Sequence, residues 1–515
     1  MHASPTVVHT GPELAPLPFP ASEGLAGVLA MQAQQRPTAS ALVFGARQWT
    51  YAALHQAVDH VVLQLFARGV RAGDRVAYLG LNHAAQLVAL FALARMGAIL
   101  VPLNFRLAPA EWDKVLDDCT PVALWHDETW AAAAQALAAR RALACWPVDD
   151  CLRPPAASVA ATRASPAPPQ DLAHAPVLLV YTSGTTGLPK GAVHTQANLL
   201  ANMQAAAQVQ ALTPQDRVLT VLPLFHVGGL CIQTLPTLWA GACVSLMPRF
   251  EPGAMLQALS EWRPSLTLVV PAVMKALIEH PMWLQTDLGC LRAAWAGSST
   301  LPTATVQAFL ERGVPLCNVY GATETGPFSV ALPPAQASSH VGDCGWPAPG
   351  VTLRLAPRES LASDGVGELW LQGPAIVQHY WPEQPARDAQ GWFHSGDLAQ
   401  QGPDGSWRIV GRAKDMVISG GENIYPAEIE NLLAQHPAVA ECAVLGQPDA
   451  QWGEVVVAVV VLHAHVQPPP GDEDLLLPVR QALARYKHPR RVVRVAALPK
   501  TALGKVQKDV LRAQL

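Results

Sequence analysis

The spacing of hydrophobic residues predicts alternating helices and strands early in the chain. After Thr50, apolar side chains recur every three or four positions as far as Phe66, and Gly69 follows where a helix end favours a left-handed residue. This pattern predicts an amphipathic helix. Two short apolar runs, Arg75–Leu79 and Ile99–Leu103, are predicted to be buried strands of a layered α/β domain.

The most apolar stretch of the sequence covers residues 84–101. Gln86 and Arg95 interrupt it, and a glycine-containing segment follows the helix-like part. These features argue against a membrane span, and we interpret the stretch as a buried helix over 84–96 followed by a strand. The chain is therefore expected to have no transmembrane segment.

A composition change divides the first apolar region from the next. Residues 152–176 are rich in Pro, Ala and Ser and have no periodicity, which is typical of a loop or linker. Beyond it the alternation resumes, and a more β-rich stretch follows. The predicted strands cover residues 177–181, 217–221, 242–247, 266–270, 365–373 and 407–410.

The pattern changes again after Arg412. Pro426 begins a predicted helix, strands follow at 440–445 and 455–462, and a second helix is predicted near 475–485. We therefore expect an α/β protein with a large N-terminal domain, residues 1–413, built from layered α/β lobes and a small β-rich part. A small mobile α+β domain, residues 414–515, is expected to follow it.

Composition narrows the function classes. Half of the 515 residues are hydrophobic and 14% are charged, so the chain has enough apolar material for about three structural units. The net charge is −4 and no long basic block is present, which argues against nucleic-acid binding. The nine cysteines include no C-x-x-C pair, and the first residues lack a secretory signal, so a cytoplasmic location is expected.

The densest chemical signal is the segment 181–191, YTSGTTGLPKG, directly after an apolar strand. Glycines allow a backbone to approach a ligand closely, and successive N–H groups, hydroxyls and Lys190 supply groups that bind anions. The segment predicts a phosphate-binding loop. It differs from the Walker pattern because Gly191 stands where a Ser or Thr would bind magnesium.

Four later segments carry further candidate chemistry. In 318–326, NVYGATETG, the Tyr320 ring offers a surface for a base, and Thr323 and Glu324 offer oxygen ligands for Mg²⁺. In 391–397, GWFHSGD, Asp397 can accept from ribose hydroxyls. The segment 416–426, MVISGGENIYP, has paired glycines that leave room for a slender thioester arm, and 498–506, LPKTALGKV, has a lysine after a glycine.

Together these segments resemble the adenylate-forming enzymes, the superfamily of acyl-CoA synthetases, luciferases and peptide-synthetase adenylation domains. The resemblance runs from about Trp49 to the C-terminus. It implies nucleotide contacts from Thr182, Ser183, Gly184, Thr185, Thr186, Gly187, Lys190, Gly297, Ser298, Asn318, Tyr320, Gly321, Thr323, Asp397 and Arg412.

The resemblance also implies roles in catalysis and conformational change. It makes Lys505, Thr182, Glu324 and His226 catalytic, with Glu324 as the Mg²⁺ ligand, and it places a hinge at Lys414. The implied CoA tunnel comprises Ser419, Gly420, Gly421 and Glu422. The implied acyl pocket comprises His226, Val227, Gly228, Gly229, Trp295, Ala322 and Phe328.

The resemblance implies an acyl-CoA synthetase. Such an enzyme uses ATP and Mg²⁺ to convert a carboxylic acid to acyl-AMP, releases pyrophosphate, and then forms a thioester with CoA. A medium-to-long aliphatic acid or an aryl acid is expected as substrate, and a dicarboxylate such as malonate is not. Two alternatives are an adenylation enzyme that loads a carrier protein and a non-catalytic nucleotide-binding protein. The sequence leaves the oligomeric state open, including a homo-oligomer.

Overall fold

The computed structural model of the chain describes residues 8–153, 171–183, 189–297, 301–356, 365–419, 422–449, 451–501 and 504–515. Four β-sheets organise this described part. Three sheets are formed by strands that precede Lys414, and the fourth by strands that follow it. The predicted α/β class, with a large N-terminal and a small C-terminal domain, is confirmed. The domain boundary at Lys414 stays a prediction.

The first sheet has a parallel centre buried between helices. Its strands, in pairing order, are Gln384–Pro385, His379–Tyr380, Pro189–Thr195, Pro176–Ser183, Ile99–Leu103, Arg75–Leu79, Ala123–His126 and Ala144–Pro147. The second sheet contains, again in pairing order, Trp346–Pro347, Val330–Ala331, Leu316–Tyr320, Ala293–Ala296, Leu266–Val269, Arg217–Thr220, Cys243–Leu246, Ser40–Phe44 and Arg47–Thr50.

The other two sheets are largely antiparallel. The β-rich part of the N-terminal domain contains Val8–Thr10, Thr352–Ala356, Val366–Gln372, Phe393–Gln401 and Trp407–Arg412. The C-terminal sheet contains Glu422–Ile424, Val417–Ser419, Gly453–Leu462 and Val439–Asp449, with Arg491–Arg494 added in parallel to Gly453–Leu462.

Helices cover the faces of these sheets. In the N-terminal domain they are Ala26–Gln35, Tyr51–Ala67, Ala84–Met96, Pro109–Cys119, Ala131–Arg141, Gln196–Val209, Val227–Gly229, Leu235–Trp239, Pro252–Trp262, Pro271–Ile278 and Thr303–Glu311, with a π-helical turn at Leu230–Thr234. In the C-terminal domain they are Pro426–Leu433, Asp472–Leu475, Leu477–Ala482 and Lys508–Ala513.

The early sequence predictions are confirmed. The helix Tyr51–Ala67 begins after Thr50, whose hydroxyl accepts a hydrogen bond from the backbone N–H of Ala53 at 3.2 Å. Gly69 follows with a φ of +89°. The apolar run forms a buried helix, Ala84–Met96, in which Arg95 alone is not buried. Among the described residues, no helix is long and apolar enough to cross a membrane.

One helix that was predicted to be continuous is interrupted in the structure. Residues 475–485 were expected to form a single helix, but the chain forms two short helices, Asp472–Leu475 and Leu477–Ala482, and then a 3₁₀ turn, Arg485–Lys487. Pro478 explains the break. Proline has no N–H and is tolerated only in the first turn of a helix. Pro478 therefore lies in the first turn of the second helix and cannot continue the first helix.

The predicted linker is shorter than expected at both ends. Leu152 belongs to a 3₁₀ turn, Val148–Leu152, and Pro176 already pairs in the strand Pro176–Ser183. Residues 154–170 lie outside the described residues. A hairpin that sequence reading did not identify, Ser40–Phe44 with Arg47–Thr50, extends the second sheet by pairing in parallel with Cys243–Leu246.

Candidate active site

The predicted phosphate-binding loop connects two antiparallel strands. In the pairing of Pro176–Ser183 with Pro189–Thr195, Thr182 lies opposite Lys190. The Lys190 ammonium lies 5.4 Å from the centre of the Tyr380 ring. Lys190 is therefore the second residue of this strand, and its ammonium lies beside an aromatic side chain from another part of the chain. Gly184, Thr185, Thr186, Gly187 and the side chain of Ser183 lie outside the described residues.

The second segment forms a tight turn after a central strand. Leu316–Tyr320 ends at Tyr320, and Thr323–Thr325 is a 3₁₀ turn. A Cβ on Gly321 would lie 2.0 Å from the carbonyl oxygen of Pro327, so only glycine fits there. This turn presents Glu324, whose Oε1 accepts a hydrogen bond from the Tyr380 hydroxyl at 2.9 Å.

The second and third segments meet at Asp397. The Tyr320 hydroxyl donates to Asp397 Oδ2 at 2.8 Å, and Arg412 Nε lies 2.9 Å from Oδ1. Asp397 and Arg412 are also opposite each other in paired strands. Burial raises the pKa of the Tyr320 phenol well above its usual value, and the Asp397 charge adds to this effect. Tyr320 is therefore a protonated donor that holds the carboxylate.

Lys505 lies within electrostatic range of this cluster. Burial lowers the pKa of its ammonium, and the like charge of Arg412 adds to this, whereas Asp397 and Asp415 act in the opposite direction. Part of the side chain is still exposed to solvent. The turn that carries it is held by the backbone N–H of Thr501, which donates to the Lys505 carbonyl at 2.7 Å.

The C-terminal domain reaches this position by docking on the helix Pro271–Ile278. A Cβ on Gly504 would lie 3.3 Å from the Cβ of Ala272, and Lys275 Nζ donates to the carbonyl of Ala440 at 2.8 Å. The lysine-bearing turn thus packs directly on the N-terminal domain. A cavity of about 290 Å³ remains between the two domains beside Phe105 and Thr501.

A larger cavity, of about 400 Å³, opens at the second and third segments. Its walls include Glu324, Tyr380, Arg387, His394 and Arg412. Its lining therefore contains carboxylate, hydroxyl and guanidinium groups. Oxygen ligands of this kind suit Mg²⁺, and the turn Thr323–Thr325 supplies a hydroxyl from Thr323 and a carboxylate from Glu324 that fit such an ion.

The predicted acyl-pocket residues do not all share one environment. Val227 packs in the core beneath the first sheet, whereas Trp295 and Phe328 pack in the core of the second sheet, with ring centres 5.6 Å apart. A Cβ on Gly228 would meet no atom within 4 Å, but one on Gly229 would lie 2.3 Å from the carbonyl oxygen of Pro223. Gly228 is thus the position of this segment with open space beside it.

His226 is held as a neutral ring. Burial lowers its pKa to about 4, and the positive charge of Arg106 adds to this effect. Its ring centre lies 4.6 Å from that of Phe225, which contacts Phe105 edge-on at 5.2 Å. Its Nε2 atom is buried without a hydrogen-bond partner among the described residues. The hydrogen-bonding capacity of this atom is therefore unused within the described part of the structure.

The hinge and tunnel segments lie in the C-terminal part. Lys414 Nζ is 2.6 Å from Asp509 Oδ2. Ser419 pairs with Glu422 across the hairpin Val417–Ser419 and Glu422–Ile424. Gly420 and Gly421 lie outside the described residues, as does Ser298 of the predicted nucleotide contacts. Of the other predicted nucleotide contacts, Gly297 directly follows the strand Ala293–Ala296 and Asn318 lies in the middle of the strand Leu316–Tyr320; Ala322, predicted for the acyl pocket, lies two residues beyond that strand.

Sequence reading did not identify Tyr380 or Arg387. Arg387 donates to the carbonyls of Val377 and Ile376 and so fixes the segment that carries Tyr380. In the sequence, the only feature that marks Tyr380 is the adjacent aromatic residue Trp381. Such a pair is typical of a packed edge strand and does not by itself indicate a chemical role.

The fold and the site define a two-domain nucleotide-dependent enzyme in which the charges of an Asp–Tyr–Arg cluster in the N-terminal domain act on a C-terminal lysine. The chain belongs to the AMP-binding enzyme family. The family's sequence profile matches residues 29–381, and the profile of its C-terminal domain matches residues 428–505. The predicted family and the enzyme class, an AMP-forming acid–thiol ligase, are confirmed.

Individual relatives cover nearly the whole chain. The chain is 42% identical to an indoleacetate–CoA ligase of Aromatoleum aromaticum, over 92% of this chain and 95% of that protein. It is 41% identical to a feruloyl-CoA synthase of an Amycolatopsis species, over 95% and 99%. The solved structure of the anthranilate CoA ligase AuaEII with anthranoyl-AMP is 26% identical, covers 96% of this chain and 98% of its own, and has a TM-score of 0.86.

Proposed function

We propose that the protein is an AMP-forming acyl-CoA synthetase that activates a carboxylic acid with ATP and transfers the acyl group to CoA. One observation supports this proposal: the C-terminal domain packs through Gly504 on Ala272 of the N-terminal domain, which brings Lys505 within range of the charges of Asp397 and Arg412, and Arg412 lines the cavity that also contains Glu324. A cation is thereby supplied where two anions, the acid and the α-phosphate, have to meet. ATP, Mg²⁺ and CoA are the cofactor and co-substrates, as predicted.

The first half-reaction overcomes the poor reactivity of a carboxylate. The carboxylate oxygen attacks the α-phosphorus of ATP, the bond to the bridging oxygen breaks, and pyrophosphate leaves. Lys505 bridges the acid and the α-phosphate, and the 181–191 loop with Lys190 binds the other phosphates. Asp397, held by Tyr320 and Arg412, accepts from the ribose hydroxyls. Glu324 would hold Mg²⁺, which would supply positive charge to the phosphates.

The second half-reaction transfers the acyl group to the thiol of CoA. The CoA thiol attacks the acyl carbonyl, loses its proton, and AMP leaves. Lys505 has no catalytic role in this step. We propose that the domain beginning at Lys414 rotates and brings the segment 419–422 to the site. His226, neutral because of its lowered pKa, borders the acyl group and offers Nε2 as a hydrogen-bonding atom.

An aromatic or extended apolar acid is the proposed substrate. Gly228 leaves space, and the relatives are named for indoleacetate and ferulate, which are aryl acids. The test is a panel of carboxylic acids in a pyrophosphate-release assay. We expect release with aryl or medium-to-long aliphatic acids, and a strong preference for malonate would contradict this substrate class.

The alternative acceptor is a carrier protein. The chain is 34% identical to a fatty acid–[acyl-carrier-protein] ligase of Streptomyces coeruleorubidus, over 96% of this chain. CoA is favoured because relatives of higher identity, at 41 and 42%, are named for it. Rates with CoA and with a phosphopantetheinylated carrier protein distinguish the two. We also propose a cytoplasmic location and a homo-oligomeric state, to be tested by cell fractionation and by light scattering.

A further inference from the structure

The Tyr380 side chain contacts two groups of the proposed nucleotide site at once. Its hydroxyl donates to Glu324 Oε1 at 2.9 Å, and its ring lies 5.4 Å from the Lys190 ammonium. A phenol is protonated at neutral pH, so this hydroxyl donates its proton to the Glu324 carboxylate. The ring lies within the distance at which a cation–π attraction operates.

We propose that Tyr380 is a positioning residue that orients the Glu324 carboxylate for Mg²⁺ and the Lys190 ammonium for the phosphates. The proposal rests on the proposed function, which assigns those two roles. A carboxylate held through one oxygen keeps its second oxygen for a metal ion, and a ligand held in advance loses less conformational entropy on binding. Tyr380 itself contacts neither the metal nor the phosphates in this assignment.

The backbone places Tyr380 independently of its hydroxyl group. Tyr380 pairs with Ala192 at the edge of the first sheet, and the backbone N–H of Trp381 donates to the Gly191 carbonyl at 2.7 Å. The Trp381 indole N–H donates to the Asp118 carbonyl at 3.1 Å. The same segment is joined to the Glu324 turn by the N–H of Val377, which donates to the Glu324 carbonyl at 2.8 Å.

These contacts make a conservative substitution informative. Tyr380→Phe keeps the ring beside Lys190 and removes the hydroxyl bonded to Glu324, whereas Tyr380→Leu removes both. The backbone contacts of Trp381 and Val377 are unchanged in either variant, so both are expected to fold. Tyr486→Phe, at an exposed ring in the turn Arg485–Lys487, is the matched control for loss of a phenolic hydroxyl.

The experiment measures binding of the α,β-methylene analogue of ATP, which cannot transfer its AMP group to an acid, by calorimetry with Mg²⁺ and with a chelator. For Tyr380→Phe we expect the same affinity for the analogue as in the unmodified protein when a chelator is present. The gain in affinity on adding Mg²⁺ should fall about tenfold, which is the scale of one hydrogen bond to a charged group. For Tyr380→Leu we expect an additional loss of about two- to fivefold in chelator, from the lost cation–π contact.

Two results would overturn the positioning role. One is a full Mg²⁺ effect in Tyr380→Phe, and the other is an equal loss of affinity with and without Mg²⁺. A failure of the proposed function is seen separately, because the unmodified protein would then bind the analogue with Mg²⁺ yet release no pyrophosphate with any acid of the panel.

Discussion

The Lys414 ammonium and the Asp509 carboxylate lie 2.6 Å apart, so the predicted hinge residue is paired with the helix Lys508–Ala513. Arg512 of the same helix also reaches Asp509, at 3.1 Å. In this arrangement the C-terminal domain is docked with Gly504 against Ala272, and the charge of Asp397 acts on Lys505. The ion pair therefore restrains the predicted hinge residue in this arrangement of the two domains. Exposed pairs of this kind contribute between about 0 and 1 kcal/mol.

Removing this pair should slow one half-reaction. We expect Asp509→Asn to lower the rate of acid-dependent pyrophosphate release by about two- to threefold, because about 0.5 kcal/mol of preference for the docked orientation is lost. Thioester formation from synthetic acyl-AMP should not fall. Glu473→Gln, which breaks an exposed pair with Arg480 in the same domain, is the matched control. An equal decrease in both half-reactions would contradict the prediction.

Lys505 should matter for adenylation alone. Lys505→Ala is expected to lower pyrophosphate release by about 10²-fold or more, the scale of one lost transition-state charge contact. Thioester formation from synthetic acyl-AMP should survive, since the lysine is needed where the acid meets the α-phosphate. Lys114→Ala, at an exposed lysine on the helix Pro109–Cys119, is the control. Comparable losses in both steps would rule out this division of labour.

The two adjacent glycines of the acyl segment should respond differently to a larger side chain. Gly228 has open space, so Gly228→Leu should fold with an almost unchanged melting temperature but lose activity with bulky acids relative to short ones. At Gly229 a Cβ would lie 2.3 Å from the Pro223 carbonyl, so Gly229→Ala should lower the melting temperature. Thermal melts and the acid panel measure both effects. An unchanged acid preference in Gly228→Leu would place the pocket elsewhere.

Stability should decrease in mild acid because of His194. This residue is fully buried, burial lowers its pKa to about 4, and neither ring nitrogen has a hydrogen-bond partner among the described residues. Its pKa in the unfolded chain is about 6.5, so between these values the unfolded state binds the extra proton. The free energy of unfolding therefore falls as the pH drops from about 6.5 towards 4, and is unaffected by this group above that window.

The measurement is the free energy of unfolding in urea across that pH range. We expect His194→Leu to reduce the slope by up to about 1.4 kcal/mol per pH unit, which corresponds to one proton. Part of the slope should remain, because the pKa of His226 is also lowered to about 4. His174→Leu removes an exposed imidazole and is the control. The same slope in the unmodified protein and in His194→Leu would contradict this origin.

Much of the fold could be predicted from local sequence patterns. The helix after Thr50, the buried helix Ala84–Met96 and the strands near 177–181 and 455–462 are confirmed with small shifts at their ends, because hydrophobic spacing and capping act over a few residues. The helix near 475–485 is the exception, and Pro478 explains it. The hairpin at Ser40–Phe44 was missed because its place in the second sheet depends on a strand about 200 residues later in the chain.

The sequence by itself determined the family, the order of the motifs and the residue types available for each task, since these depend on contiguous segments such as 181–191 and 318–326. The tertiary structure alone decided that Tyr320 reaches Asp397, that Tyr380 reaches Glu324 and that the charges of both ribose candidates, Asp397 and Arg412, act on Lys505. Contacts across such long stretches of chain depend on the order of strands in a sheet and on how one domain docks on another, and no local spacing of residues encodes either.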